Sequence, residues 1–221
     1  MATGAFAQKT SVTIFGDSYS TFEGYLVPDT NAIWYPSAKH AGVKNDVVRV
    51  EQTWWHLLIT EMGWKLCKNN SYSGSTIAYH GYNNDDYRLR SFENRARDLG
   101  DPDVILICGG TNDSWSGTKI GEYKYSDWDT SLTPDGSGEL YTYRPALAKM
   151  LDFMTKRYIN VKIYFILNSE LRPEINESTL EICKHYGVPV IQLHDIDKQH
   201  GHPSQKGMRA IADQVKQFIM K

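Results

Sequence analysis

The chain has 221 residues, a formal net charge of −2, 41% hydrophobic and 23% charged residues. That balance suits one folded domain with a sizeable core and excludes a disordered chain. No basic face is implied for nucleic acid or an anionic membrane, and no apolar run approaches the ~20 residues of a membrane span.

Residues 1–10 read MATGAFAQKT, and Ala5-Phe6-Ala7 before Gln8 has the small-x-small form of a signal-peptidase site. The segment reads as a signal-peptide remnant or a disordered terminus. The first reading sends the mature protein to the periplasm or the medium. Residues 11–221 read as a single domain.

Ser11–Phe15 (SVTIF) predicts a strand running into Gly16. Gln52–Met62 sets Trp54, Trp55, Leu58, Ile59 and Met62 on one helical stripe, with Gly63 as its stop. Trp64–Cys67 predicts a second strand, and Asp85–Leu99 a charged helix closed by Gly100. Val104–Cys108 (VILIC) is unbroken apolar sequence, as in a parallel strand covered on both faces. From Thr111 to about Tyr143 the chain reads as irregular, and irregular segments of that length are usually functional.

Arg144–Tyr158 predicts a helix burying Leu147, Met150, Leu151 and Met154, and Val161–Leu167 a strand. Pro173–Tyr186 follows as a helix with proline in its first turn, then Val188–Leu193 as the last strand. A final helix starts near Ser204 and is expected to bury Met208, Ile211, Ala212, Val215, Phe218 and Ile219. This alternation predicts an α/β fold: a three-layer α/β/α sandwich around a five-stranded parallel sheet, flavodoxin-like in type. Cys67, Cys108 and Cys183 have no CxxC spacing and read as buried small hydrophobes.

Ligands of such sheets bind beyond the carboxyl ends of the strands, so the residues after each strand carry the chemistry. Strand one is followed by Gly16-Asp17-Ser18, a turn able to hold a hydroxyl above the sheet edge. Strand two leads to Ser73-Gly74-Ser75, where a glycine can turn its N–H toward a negative oxygen. Strand three leads to Gly110-Thr111-Asn112-Asp113, with an amide donor in Asn112. Strand five leads to His200-Gly201-His202-Pro203-Ser204, where Pro203 restricts His202 to extended conformations. Each block alone is an ordinary turn. Together they supply the nucleophile, base and anion donors of acyl transfer at one edge.

This ordered set resembles the SGNH hydrolase superfamily, the GDSL-type esterases and lipases, over nearly the whole chain from Ser11. Gly16-Asp17-Ser18 matches the nucleophile block, Gly74 the oxyanion glycine, Gly110-Thr111-Asn112-Asp113 the Gly-x-Asn-Asp block, and His202-Pro203 the block before the last helix. The resemblance implies a serine esterase working without a metal or other cofactor. Ser18 and His202 are then catalytic, and Ser18, Gly74 and Asn112 form the oxyanion hole. One departure stands: the family carries an acid three residues before the histidine, and that position here is Gln199. Asp197 stands three before His200 instead, but His202 is the histidine followed by Pro203 and a capping serine. Asp197 or Asp195, Gln199, or a backbone carbonyl remain as the group that orients His202.

The expected substrate is a small-molecule or carbohydrate ester, with a short acyl group such as acetyl; polar, aromatic-rich loops point to carbohydrate. Three rivals stand beside this reading. His194, Asp195, Asp197, His200 and His202 have the look of a zinc cluster. Loop aromatics such as Trp34, Trp115 and Trp128 would suit a non-catalytic carbohydrate-binding protein on the same fold. An acyltransferase would use the same serine and histidine. Nothing in the sequence fixes the number of subunits.

Overall fold

The computed structural model describes residues 8–38, 44–132 and 137–221. The N-terminal Ala5-Phe6-Ala7 motif lies outside the described residues. In chain order the main elements are β1 (Ser11–Gly16), α1 (Trp54–Met62), β2 (Lys65–Asn69), α2 (Phe92–Arg95) and β3 (Val104–Gly109). Then follow α3 (Thr111–Trp115), α4 (Tyr143–Arg157), β4 (Lys162–Leu167), α5 (Pro173–His185) and β5 (Val190–Gln192). A two-residue hairpin, β6 (Lys198–Gln199) with β7 (His202–Pro203), precedes α6 (Gln205–Ile219).

β1 to β5 form one parallel sheet in the order β2-β1-β3-β4-β5. Side chains alternate across its faces with the period of two that strands impose. Ile105, Ile107, Ile163, Phe165 and Leu167 pack with Phe92 of α2, Leu147 and Leu151 of α4 and Ile182 of α5. Val12, Ile14, Leu106 and Ile166 pack on the other face with Trp54, Trp55 and Leu58 of α1 and Met208, Ile211 and Val215 of α6. β1 and β3 are buried along their full length, as their near-continuous apolar sequence requires. The strand order reverses between β1 and β3, the position where open α/β sheets hold their ligands.

Four sequence expectations are corrected. Asp85–Leu99 is not one helix: 3-10 turns at Tyr82–Asn84 and Arg88–Arg90 lead to the short α2. The apolar positions Phe92, Ala96 and Leu99 are all buried, whereas Asp85–Arg90 offers no apolar stripe to hold a helix to the core. The segment after β3 is not irregular throughout, since α3 and a 3-10 turn at Glu139–Tyr141 interrupt it. Cys67 is exposed, while Cys108 and Cys183 are buried. Phe218 stays 37% exposed in the last turn of α6, its ring edge to face with Tyr164.

Candidate active site

β1 delivers the chain into a tight turn. Gly16 has no room for a β-carbon, because Ser20 and Ser71 press against it. Asp17 caps the 3-10 turn Ser18–Ser20, its Oδ1 accepting the Tyr19 N–H at 3.0 Å. The turn puts the Ser18 hydroxyl beyond the strand end, 2.9 Å from Nε2 of His202. Residues 184 positions apart thus meet in one hydrogen bond.

His202 lies in β7, and the surrounding backbone is tied down at each step. Asn45 Nδ2 donates to the carbonyls of His202 and Pro203 at 3.4 and 3.1 Å. Tyr35 Oη donates to Pro203 O at 2.9 Å, and Tyr19 Oη to Gly201 O at 2.8 Å. The hairpin turns through His200 and Gly201, both at positive φ (50° and 75°). That turn brings the His200 carbonyl back to within 3.1 Å of His202 Nδ1. A carbonyl can only accept, so Nδ1 carries the proton and Nε2 faces Ser18 with a free lone pair.

Among the described residues, no carboxylate reaches the His202 ring to fill the orienting role. Asp197 accepts the Ser204 hydroxyl at the start of α6, and Asp195 pairs with His194 at the surface. Gln199 Oε1 accepts the Asp46 N–H at 2.9 Å. Of the alternatives left open by the sequence, the backbone carbonyl is the one in contact. The suspected zinc cluster is likewise dispersed, and among the described residues no three His, Cys, Asp or Glu side chains gather to hold a metal.

Four aromatic rings enclose the imidazole. Trp34 stacks flat on it, centroids 3.5 Å apart at 11°, while Trp115 and Tyr35 meet it edge to face and Tyr19 at a tilt. Removal from water brings the His202 pKa down to about 4, with the His200 carbonyl opposing the shift and Lys198 adding to it. Trp34, Tyr19, Tyr35 and Asn45 were not among the site residues expected from the strand ends. Only the aromatic richness of the loops pointed to Trp34 and Tyr35, and nothing in the sequence marked Tyr19 or Asn45.

The other two strand-end blocks also converge. Gly74 turns at φ 78° with open space where a β-carbon would stand. Asn112 Nδ2 donates to Ser75 O at 3.0 Å, and its Oδ1 accepts Tyr82 Oη at 2.8 Å, which fixes the amide's orientation. Asp113 accepts the N–H groups of Ile77 and Ala78 at 2.7 and 3.1 Å, pinning the loop after Gly74 to α3. Burial pushes the carboxyls of Asp17 and Asp113 up to about 7, their hydrogen bonds notwithstanding.

Comparison with known proteins identifies the family of the chain. The sequence model of the GDSL-like Lipase/Acylhydrolase family matches residues 10–219. No curated protein matches. Among solved structures, a chain described as a GDSL-like lipase from Bacteroides ovatus ATCC 8483 is 52% identical. Its TM-score is 0.90, with 96% of this chain and 99% of that one covered. One from Bacteroides uniformis ATCC 8492 is 47% identical, at a TM-score of 0.89 with 96% of each chain covered. A family two carbohydrate esterase from Clostridium thermocellum, in complex with cellohexaose, shares the fold at 14% identity. There the TM-score is 0.61 over 97% of this chain and 65% of that one. With nearly its whole length matched, the chain belongs to the GDSL-like lipase/acylhydrolase family and is a serine hydrolase of ester bonds.

Proposed function

We propose that the protein is a serine esterase that removes short acyl groups, acetyl foremost, from carbohydrate alcohols through an acyl-enzyme on Ser18. The observation that carries this reading is the 2.9 Å contact between Ser18 Oγ and an Nε2 left unprotonated by the His200 carbonyl. In the proposed mechanism the Ser18 hydroxyl attacks the ester carbonyl and passes its proton to Nε2. The tetrahedral oxyanion is held by the N–H groups of Ser18 and Gly74 and by Asn112 Nδ2. The imidazolium then protonates the leaving alcohol, water enters, and the same base and donors carry deacylation.

Two observations support a carbohydrate alcohol. Trp115 is 44% exposed and its ring lies against Gly201 and against His202, the base that would hand its proton to the leaving oxygen. A flat, wet indole beside that oxygen suits a sugar ring. The fold relative that carries cellohexaose points the same way. An extracellular or periplasmic location suits such a substrate, and cell fractionation would test it.

The test is turnover of p-nitrophenyl acetate, longer p-nitrophenyl esters and acetylated polysaccharide by the wild type, Ser18→Ala and His202→Ala. Acetate is expected to be cut best, and each variant to lose at least ~1000-fold in kcat. Undiminished activity in Ser18→Ala would remove the mechanism. Binding of acetylated polysaccharide without turnover in the wild type would favour a carbohydrate-binding role. A new ester formed with an added alcohol, in preference to free acid, would favour acyl transfer.

A further inference from the structure

Arg95, the last residue of α2, has its guanidinium sealed inside the protein beneath the nucleophile turn. Its five N–H donors meet five oxygens. Nε donates to Arg90 O at 2.8 Å; Nη1 donates to Asn70 O and, at 3.1 Å, to Asn70 Oδ1. Nη2 donates to Gly16 O at 3.3 Å and to Ser75 Oγ at 2.9 Å. None of the five is a carboxylate oxygen. The rings of Phe15 and Phe92 flank it, 5.0 and 4.7 Å from the guanidinium carbon, and the Asp17 carboxyl acts on it as a nearby charge without a hydrogen bond.

A cation held this way is a costly means of joining loops. Stripping a guanidinium of water is penalised by several kcal/mol, and well-packed apolar side chains often replace such groups with no loss of stability. The location gives it a use. The atom Nη2 bridges Gly16, two residues before Ser18, to Ser75, the neighbour of Gly74. Those are the two loops whose backbone N–H groups serve as oxyanion donors in the function proposed above, on which this inference rests.

We infer that Arg95 is a positioning residue for the oxyanion hole: its planar fork fixes the spacing between the Ser18 and Gly74 N–H groups. Its buried positive charge also favours the negative charge that develops above it. Donors of this kind act only when they are preset to the geometry of the tetrahedral state, so losing the fork affects the transition state more than substrate binding. Lysine keeps the charge but cannot bridge two loops with one planar group.

The experiment compares wild type, Arg95→Lys and Arg95→Met on p-nitrophenyl acetate, with affinity for an alkyl boronic acid as mimic of the tetrahedral adduct. Arg95→Lys is expected to lower kcat by about 100-fold with KM moving less than ~3-fold, and to weaken boronate binding in step with kcat. Arg95→Met is expected to lose more than Arg95→Lys on both readouts. A kcat and boronate affinity in Arg95→Lys within twofold of wild type, with only Tm reduced, would overturn the inference.

Should Arg95 variants fail to fold by circular dichroism, Ser75→Ala removes one arm of the bridge and leaves the Ser75 carbonyl that Asn112 uses. It is then expected to lower kcat by about 3- to 10-fold with KM unchanged, and an unaltered kcat would overturn the inference equally. Ser18→Ala run in parallel separates the two levels. Activity surviving there sinks the underlying mechanism, whereas an inactive Ser18→Ala beside a normal Arg95→Lys sinks only the role of Arg95.

Discussion

The imidazole of His202 rests neutral because Trp34, Trp115, Tyr19 and Tyr35 keep water from it, and burial places its pKa at about 4. A lowered pKa means that the base stays unprotonated until the solution is quite acid. The acid limb of kcat/KM is therefore expected near pH 4, with a plateau from about pH 5, where an ordinary histidine would already fall near 6.5. The flat face of Trp34 also meets the imidazolium when it forms, an interaction worth roughly 0.5 to 2 kcal/mol. Trp34→Ala is expected to lower kcat by about 10-fold and to move the acid limb upward as water reaches the ring. An acid limb left near pH 4 in that variant would show that Trp34 does not control the base. The two neighbouring histidines also separate by experiment. His202→Ala is expected to be inactive, whereas His200→Asn keeps both the orienting carbonyl and tolerance of positive φ, so its kcat is expected within a few fold of wild type. Ser18, Gly74, Asn112 and His202 were legible because each follows a strand and the fold gathers strand ends. Trp34 and Asn45 were not, because they come from an aperiodic loop before α1 whose path only tertiary packing decides. Gln199 signalled correctly that the usual acid is missing, but main-chain acceptors leave no trace in a sequence.

Helix α6 shows how tightly an element fixes His202, the proposed base. Ser204 caps it by accepting the Gly207 N–H at 3.2 Å, and the Ser204 hydroxyl in turn binds Asp197 beside the hairpin. Gly207 is glycine for lack of space: a β-carbon there would run into the Asp197 carbonyl oxygen. Glycine to alanine inside a helix ordinarily gains up to ~1 kcal/mol. At this position Gly207→Ala is expected to cost about 1–3 kcal/mol by overpacking and to lower activity by displacing the hairpin. Thermal denaturation and turnover on p-nitrophenyl acetate check both, and a Tm above wild type would refute the close contact. The sheet strands were legible at this scale because β1 and β3 are covered on both faces and so are almost wholly apolar. The segment before β3 misled for a related reason. Asp85–Arg90 has helix-compatible residues without an inward stripe, and in the short α2 the charged Glu93 and Arg95 are buried along with Phe92. A buried arginine reads from sequence as a solvated one.

Across the whole molecule, the fully enclosed carboxyls of Asp17 and Asp113 set the response of stability to pH. Both are raised to about 7, against roughly 4 in the unfolded chain. The folded state then binds more protons than the unfolded one between those values, so their contribution is full below pH 4 and lost as pH rises through 7. His202, lowered to about 4, acts the other way and weakens the fold as pH falls from 6.5 toward 4. Above pH 6.5 only the carboxyls remain, so Tm is expected to fall between pH 6 and 8. Asp17→Asn, uncharged throughout, is expected to shrink that decline, and a wild-type Tm that stays level over the same interval would mean that both carboxyls are already ionised in the fold. One further property follows from the 184 positions that separate the paired serine and histidine. Synthesis delivers the proposed nucleophile with the first strand, inside the sheet, and the proposed base only after the fifth. A nascent chain can therefore settle most of its core while chemically inert, and a protease that clips away α6 and its adjoining hairpin would silence the enzyme without touching any of the five strands.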